Sequence, residues 1–320
     1  MTTATDTVMN PLITGLATKH VVVFGGTGQQ GSAFVRALGA YNTDPAAPHY
    51  TIHVLTRSKG PVNVSSVPGV KAVYCENYMD VPLMAFEATG VLMGQIHGVF
   101  DVQGYVSEKE DEEQGKRIVD AAAEWGVKHF IYASVSHDET VTLGHDGLDT
   151  KRAVERHLKA NDAGMKWTML ADTDFMDNWL PDQRFTLKAY RTILLRKTFH
   201  KRPDAKLAMI STRDIGRAGA KALHEPETYA NTSIYLAGDA LSMSEVVEIY
   251  KDVMGGPPTE TWGLVATIGL WSDPHANKLT KFYDAKGYDI NLEATKKVLP
   301  DVEDFRAFLE RFKREHANKA

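Results

Sequence analysis

The feature that most constrains this chain lies near its start. Residues 20–24 (HVVVF) form a short, β-branched apolar run, and Gly25-Gly26-Thr27-Gly28-Gln29-Gln30-Gly31 follows at once. The run reads as a strand, and residues 33–38 read as a helix. Gly25, Gly28 and Gly31 have G-x-x-G-x-x-G spacing, and Gly26, Gly28 and Gly31 also satisfy G-x-G-x-x-G. Between a strand and a helix, such glycines permit a tight turn, close approach of a pyrophosphate and close helix–sheet packing. The phosphates would face unpaired amides at the helix N-terminus. This context favours dinucleotide binding over a bland turn, with Gly25, Thr27, Gly28, Gln29, Gln30 and Gly31 as contacts.

The rest of the chain continues the alternation. Strands are expected at residues 50–56, 70–74, 98–102, 128–134 and 166–170, with helices at 83–93, 108–125 and 148–159. Apolar strands separated by helices predict a parallel sheet covered on both faces, with right-handed crossovers. After Asp172 the rhythm changes. Residues 175–195 read as mainly helical, 206–210 and 233–236 as strands, and 214–223, 244–254 and 302–314 as helices. The fold class is therefore α/β: a Rossmann-type doubly wound parallel sheet with a smaller C-terminal α+β region for substrate or partner. The expected organisation is a flexible leader at 1–19, a dinucleotide-binding domain at 20–172 and a C-terminal region at 173–320 packed on the sheet edge, with segments free to interleave.

Composition narrows the function. The chain has 320 residues and a formal net charge of −5, which gives no electrostatic reason to expect direct nucleic-acid binding. Cys75 is the single cysteine, so an internal disulfide and a cysteine-rich zinc site are out. No apolar run approaches the ~20 residues that span a bilayer, and residues 1–19 lack the pattern of a signal peptide. A cytoplasmic location is expected, extending to the nucleus if the role is regulatory.

The second strand bears on the cofactor. Residues 53–56 run into Arg57-Ser58-Lys59. An acidic residue there would accept from a ribose 2′-hydroxyl and favour NAD, whereas arginine pairs with a 2′-phosphate. Arg57, helped by Ser58 and Lys59, favours NADP(H).

At this point the chain resembles the NmrA-like family of atypical short-chain dehydrogenase/reductases. The likeness rests on GGTGQQG after the first strand, Thr-Arg-Ser after the second, and the run Gly126-Val127-Lys128-His129-Phe130-Ile131-Tyr132-Ala133-Ser134. It is extended by Lys151, Val154, Glu155 and Leu158 in a K-x-x-V-E-x-x-L helix, by Phe175-Met176-Asp177-Asn178-Trp179, and by Ser211-Thr212-Arg213-Asp214-Ile215-Gly216. The match covers about residues 20–255. It implies a Rossmann-type NADP-binding domain and a small C-terminal substrate region. Family members include regulators that bind NADP without turnover, and reductases of quinones, phenylpropanoids and polyketide-like aromatics. The resemblance adds Asn77, Gln103 and Phe175 to the cofactor contacts. The chain departs from the family in Glu76-Asn77-Tyr78, where Gly-Asp is common, in Gln103-Gly104-Tyr105, and in Ala171-Asp172, which replaces Arg-Pro.

The catalytic question turns on residue 147. Conventional short-chain dehydrogenases place Tyr-x-x-x-Lys on one helix face. The tyrosine passes the proton, and the lysine lowers its pKa and holds the nicotinamide ribose. Here Lys151 is present but residue 147 is glycine. Lys151 retains the ribose-binding role, or is itself the acid–base group. Ser134 and Ser136 follow the fifth strand, where this superfamily carries a catalytic serine; a plain strand-end serine is the alternative. His137, His145 and Tyr105 are further candidate proton donors, since imidazole titrates near neutrality. Asp172, Asp174 and Asp177 read as capping residues, and no metal is expected. Trp179, Tyr190, Trp262 and Trp271 line an apolar cleft or pack the core. Two functions stay in play. One is an NADPH-dependent reductase of a carbonyl, quinone or activated aromatic. The other is a non-catalytic NADP(H) redox sensor that regulates a protein partner.

Overall fold

In the computed structural model the described residues are 18–103, 108–136, 146–161, 163–181, 184–198, 204–261, 281–284, 287–288 and 291–317. The first half alternates strand and helix. Its elements are β1 (Lys19–Phe24), α1 (Gln29–Tyr41), β2 (Tyr50–Thr56), β3 (Val70–Tyr74), α2 (Pro82–Ala88), β4 (Ile96–Asp101), α3 (Glu108–Trp125), β5 (His129–Val135), α4 (Asp146–Ala160) and β6 (Lys166–Asp172). There follow β7 (Asp174–Phe175), a 3-10 turn (Met176–Trp179), α5 (Phe185–Lys197), β8 (Leu207–Ile210), α6 (Thr212–His224), α7 (Pro226–Tyr229), β9 (Thr232–Leu236), β10 (Asp239–Leu241), α8 (Met243–Met254), α9 (Leu292–Val298) and α10 (Phe305–Ala317).

Seven strands pair in the order β3-β2-β1-β4-β5-β6-β9, and every pairing is parallel. The central strands are buried along most of their length because both faces are covered, whereas the edge strands β3 and β9 are partly exposed. Val21, Val23, Phe100 and Ile131 pack under α1 and α6. Val22, Phe24, Val99, Phe130 and Tyr132 pack under α2, α3 and α4. This is the Rossmann-type doubly wound sheet. Its order reverses between β1 and β4, which opens a crevice at the carboxyl ends of those strands.

Segments from both sides of residue 172 interleave. β9 joins the main sheet beside β6, and α6 packs against α1. The smaller sheet, β10-β8-β7, is mixed: β10 runs antiparallel to β8, and β7 parallel to it. A third apolar cluster, with Trp179, Leu207, Val246, Phe305 and Phe308, fills the space around it.

Several elements differ from the sequence reading. The expected helix at 83–93 ends at Ala88, because the Thr89 hydroxyl bonds back to the Phe86 carbonyl at 2.6 Å and Gly90 turns left-handed at φ 69°. Residues 174–175 are strand, and the helix expected from 175 begins only at Phe185. The last helix begins at Phe305 and not at 302, after Asp304 accepts from the Ala307 amide at 2.7 Å. α9, capped by Asn291, and β10 were not expected. No described helix is long and apolar enough to cross a membrane.

Candidate functional site

The glycine turn is built by backbone contacts. Gly25 adopts φ 68°, and a Cβ there would lie 2.3 Å from the Val102 carbonyl oxygen. The first turn after β1 is thereby pressed against the end of β4. The Gly28 amide donates to the Gly25 carbonyl at 3.0 Å. Gly28 is the N-cap of α1, and no side chain caps the helix. The first amides of α1 therefore have no partner within the helix, and they carry the positive end of its dipole.

A cleft of about 580 Å³ lies over this turn. Of the residues expected to meet the cofactor, Gly25, Thr27, Gly28, Gln29, Gln30, Arg57, Asn77, Gln103 and Phe175 line it. Gly31 lies beneath, against Gly25. Ser58 and Lys59 are not among the lining residues: the Ser58 amide bonds to Thr56 Oγ1 at 3.1 Å, and Lys59 Nζ sits 5.0 Å from the centre of the Tyr74 ring. Arg57 is exposed on the rim and pairs with no carboxylate among the described residues. The buried Gln30 Oε1, also in the cleft, has no hydrogen-bond partner. Free helix amides, a cradle that side chains would fill and an unpaired arginine fit a dinucleotide carrying an extra phosphate.

The cleft connects inward through Gln103. Its Nε2 donates to the Asp111 carbonyl at 2.9 Å, and its Oε1 accepts the Tyr132 hydroxyl at 3.1 Å. Lys151 Nζ lies 5.4 Å from the centre of the Tyr132 ring and donates to the Ala133 carbonyl at 2.6 Å. Lys151 thus stands one layer behind the cleft. Gly147 lies on the same helix, four residues earlier. Ser134 is fully buried, and its hydroxyl donates to Glu155 Oε1 on α4. Ser136 is also buried, its Oγ without a partner and its amide donating to the Asp172 carbonyl at 2.6 Å. His137, His145, Tyr105, Trp262 and Trp271 lie outside the described residues.

The carboxyl edge of the sheet encloses several acids. Burial pushes Asp101 up to about 7 and Asp172 up to about 8, while the Lys151 ammonium pulls both the other way. Burial also raises Asp174 to about 7, opposed by the Tyr190 hydroxyl that donates to it. Asp177 accepts the Thr212 amide at 2.9 Å and the Thr212 hydroxyl at 2.8 Å, at the start of α6. Trp179 is fully buried and packs edge-on against Phe305, so it belongs to the core and not to a cleft wall.

With this geometry in view, the family is settled by a direct match. The model of the NmrA-like family covers residues 17–294. The chain belongs to the NmrA-like family. An NmrA-like family domain-containing protein of Dictyostelium discoideum is 30% identical over 148 residues, 44% of this chain and 45% of that protein, so the match spans less than half of that relative. The NmrA-like family domain-containing oxidoreductase hkm9 of Aspergillus hancockii is 22% identical over 273 residues, 79% of each chain. Among solved structures, NmrA, a negative transcriptional regulator in complex with NADP, superposes with a TM-score of 0.62 at 17% identity, covering 95% of this chain and 98% of that one. The Citrobacter triphenylmethane reductase complexed with NADP(H) gives 0.66 at 16% identity, with 92% and 99% covered. An NADPH-dependent quinone oxidoreductase of Escherichia coli gives 0.65 at 18% identity, with 91% and 99% covered. These likenesses establish a shared fold.

Some residues of this NmrA-like site carry no cofactor signal in the sequence. Tyr78 backs the glycine turn, where its hydroxyl meets the Gly25 amide. Glu110 and Gln114 line the cleft from α3. Their i, i+4 spacing places them on one helix face, within an acidic run that carries no cofactor motif. Asp101 was absorbed into an apolar strand.

Proposed function

We propose that this chain binds NADP(H) in the cleft between the ends of β1 and β4, and reduces a carbonyl, quinone or activated aromatic small molecule with NADPH. The observation that carries this reading is the glycine cradle, with the free amides of α1 on one side and the unpaired Arg57 on the rim. The amides would hold the pyrophosphate, and Arg57 would pair with the 2′-phosphate. NADPH, when bound, supplies the hydride. Gln103, held by Asp111 and Tyr132, fixes the inner wall of the cleft. Lys151, behind it, is the ammonium available to manage a proton in place of the tyrosine missing at Gly147. The relative hkm9 is described as an oxidoreductase, and two of the structural neighbours are a triphenylmethane reductase complexed with NADP(H) and an NADPH-dependent quinone oxidoreductase.

Gly147 favours a second reading, an NADP(H) sensor that acts on a protein partner without turning the cofactor over. The neighbour NmrA is a transcriptional regulator seen with NADP bound. Calorimetric titration with NADPH, NADP⁺, NADH and NAD⁺ comes first, followed by nicotinamide absorbance with a panel of quinones and aldehydes. Tight NADP(H) binding with substrate-dependent oxidation supports the reductase. Tight binding with no oxidation by any panel member, and different affinities for NADPH and NADP⁺, favours the sensor. Failure to bind either form of NADP overturns both.

A further inference from the structure

The amino edge of the sheet, at the far end of the strands from the cofactor cleft, carries a second cavity. It measures about 420 Å³ and shares no lining residue with that cleft. His97 on β4 and His129, the first residue of β5, both line it. The sheet brings them together, because His129 pairs with Gly98, the chain neighbour of His97. His129 is 1% exposed. Its Nε2 is committed to Thr168 Oγ1 at 2.8 Å, and its Nδ1 has no partner. The His97 ring donates to the Leu223 carbonyl, and its buried Nε2 has no partner. His224, close enough to act on His97, is by contrast satisfied: its Nδ1 lies 3.0 Å from the Tyr50 hydroxyl.

The hydrogen bonds fix both tautomers. Thr168 Oγ1 gives its own proton to the Tyr229 carbonyl at 2.8 Å, so it accepts from His129 Nε2–H. A carbonyl only accepts, so His97 donates to Leu223 from Nδ1–H. Burial keeps both rings neutral by depressing them to about 4. His129 Nδ1 and His97 Nε2 are therefore two bare lone pairs on the wall of one cavity. A buried acceptor of this kind costs free energy until a donor reaches it. The wall around them is apolar or lacks side chains, with Val127, Met165, Pro226, Gly126 and Gly164. Nearby charges select against a cation. Lys166 acts on His129 and Lys19 on His97, and Lys128 is exposed on the rim. Glu227, the one acid of the wall, is held by Lys166 at 2.7 Å. No group of three His, Cys, Asp or Glu that could hold a metal ion occurs among the described residues.

We propose that this cavity is a second small-molecule site, for an uncharged compound of aromatic-ring size that carries two hydroxyl or N–H donors. An apolar hollow of this volume with two convergent polar atoms has the make-up of a ligand pocket. The two donors meet His97 Nε2 and His129 Nδ1, and the apolar wall takes the ring. A compound of the same shape without donors leaves both acceptors buried and unpaired, and that difference sets the specificity. The site does not depend on whether NADP(H) is bound or turned over at the other end of the strands.

The probes are catechol, which has two hydroxyl donors, and 1,2-difluorobenzene, which keeps the shape and has none. The full chain, labelled with ¹⁵N in its histidines, is followed by NMR at about pH 7.5, with signals assigned through His97→Phe and His129→Gln. Without a probe, His129 should be the Nε2–H tautomer and His97 the Nδ1–H tautomer. Catechol, kept under argon, should move the ¹⁵N signals of His129 Nδ1 and His97 Nε2 saturably, and should leave NADPH affinity within about twofold. 1,2-Difluorobenzene should bind about tenfold more weakly, and His97→Phe should weaken catechol by about fivefold or more. If His129→Gln does not fold, His97→Phe carries the affinity comparison by itself. A charged ring or the opposite tautomer at either histidine overturns the proposal. So do signals that neither probe moves, since water alone then serves the two nitrogens. Affinity for 1,2-difluorobenzene equal to that for catechol overturns it as well, because the cavity would then recognise only apolar bulk.

Discussion

Gly31 sits so close to Gly25 that a Cβ at residue 31 would lie 2.2 Å from the Gly25 carbonyl oxygen. The first turn of α1 is thus packed directly on the turn that leaves β1. Gly31 does not line the cleft; it sets the distance between the helix amides and the loop that would cradle a pyrophosphate.

Gly31→Val should therefore damage binding through the backbone. Overpacking at a backbone contact costs about 1–3 kcal/mol, and the displaced amides would weaken NADPH binding by on the order of tenfold or more. Calorimetric titration alongside a urea melt checks both effects. Wild-type affinity in a normally stable variant would show that the turn does not govern the site.

Arg57 stands free on the rim of the same cleft. A charge-assisted bidentate contact contributes about 1.5–3 kcal/mol. Arg57→Asp should thus reduce the preference for NADP(H) over NAD(H) by on the order of ten- to a hundredfold. The change should come mainly from weakened NADP(H). Discrimination unchanged in this variant would move the 2′-phosphate site elsewhere.

The parts legible in the sequence were those determined by neighbouring residues. The run before Gly25, the glycine spacing and Arg57 at the end of β2 are local patterns, and nine of the expected cofactor contacts share one cleft. Local pattern failed where a contact joins distant segments. Asp174–Phe175 and Asp239–Leu241 are too short to show any periodicity, and they are strands only because β8 lies beside them. Lys151 reads as a ribose-binding lysine, yet its direction is set by the Ala133 carbonyl and the Tyr132 ring. Asp101 is fully buried beside Tyr132 of β5, and the Lys151 charge that acts on it comes from α4, a segment distant in the chain.

At the opposite edge of the sheet, His129 gives a pH-dependent prediction. Thr168 Oγ1 donates to the Tyr229 carbonyl at 2.8 Å, so it accepts from His129 Nε2, also at 2.8 Å. The ring is therefore the neutral Nε2–H form. Burial first, then the charges of His97 and Lys166, depress His129 to about 4. The unfolded value is near 6.5, so between about pH 6.5 and 4 the unfolded chain binds the extra proton. Stability contributed by neutral His129 is fully present above that window and is lost as pH falls through it. His129→Gln does not titrate. Its deficit in urea melts should be largest near pH 8 and shrink by on the order of 2 kcal/mol toward pH 4.5. A constant deficit would mean that His129 is not depressed. Comparing the variant with wild type is necessary, because the raised Asp101, Asp172 and Asp174 lose stability in the other direction, as pH rises from about 4 through neutrality.

Ser134 separates a structural serine from a catalytic one. Its hydroxyl is fully buried and committed to Glu155, facing α4. Ser134→Ala removes a donor from a buried carboxylate and should destabilise the fold by about 1–3 kcal/mol. NADPH affinity, measured well below the melting transition, should remain within about twofold of wild type, since the cleft wall at Gln103 is anchored by Asp111 and Tyr132 and not by Ser134. The opposite pattern, unchanged stability with a large loss of turnover, would place the Ser134 hydroxyl at the reacting atoms and require α4 to move away from β5 when substrate binds.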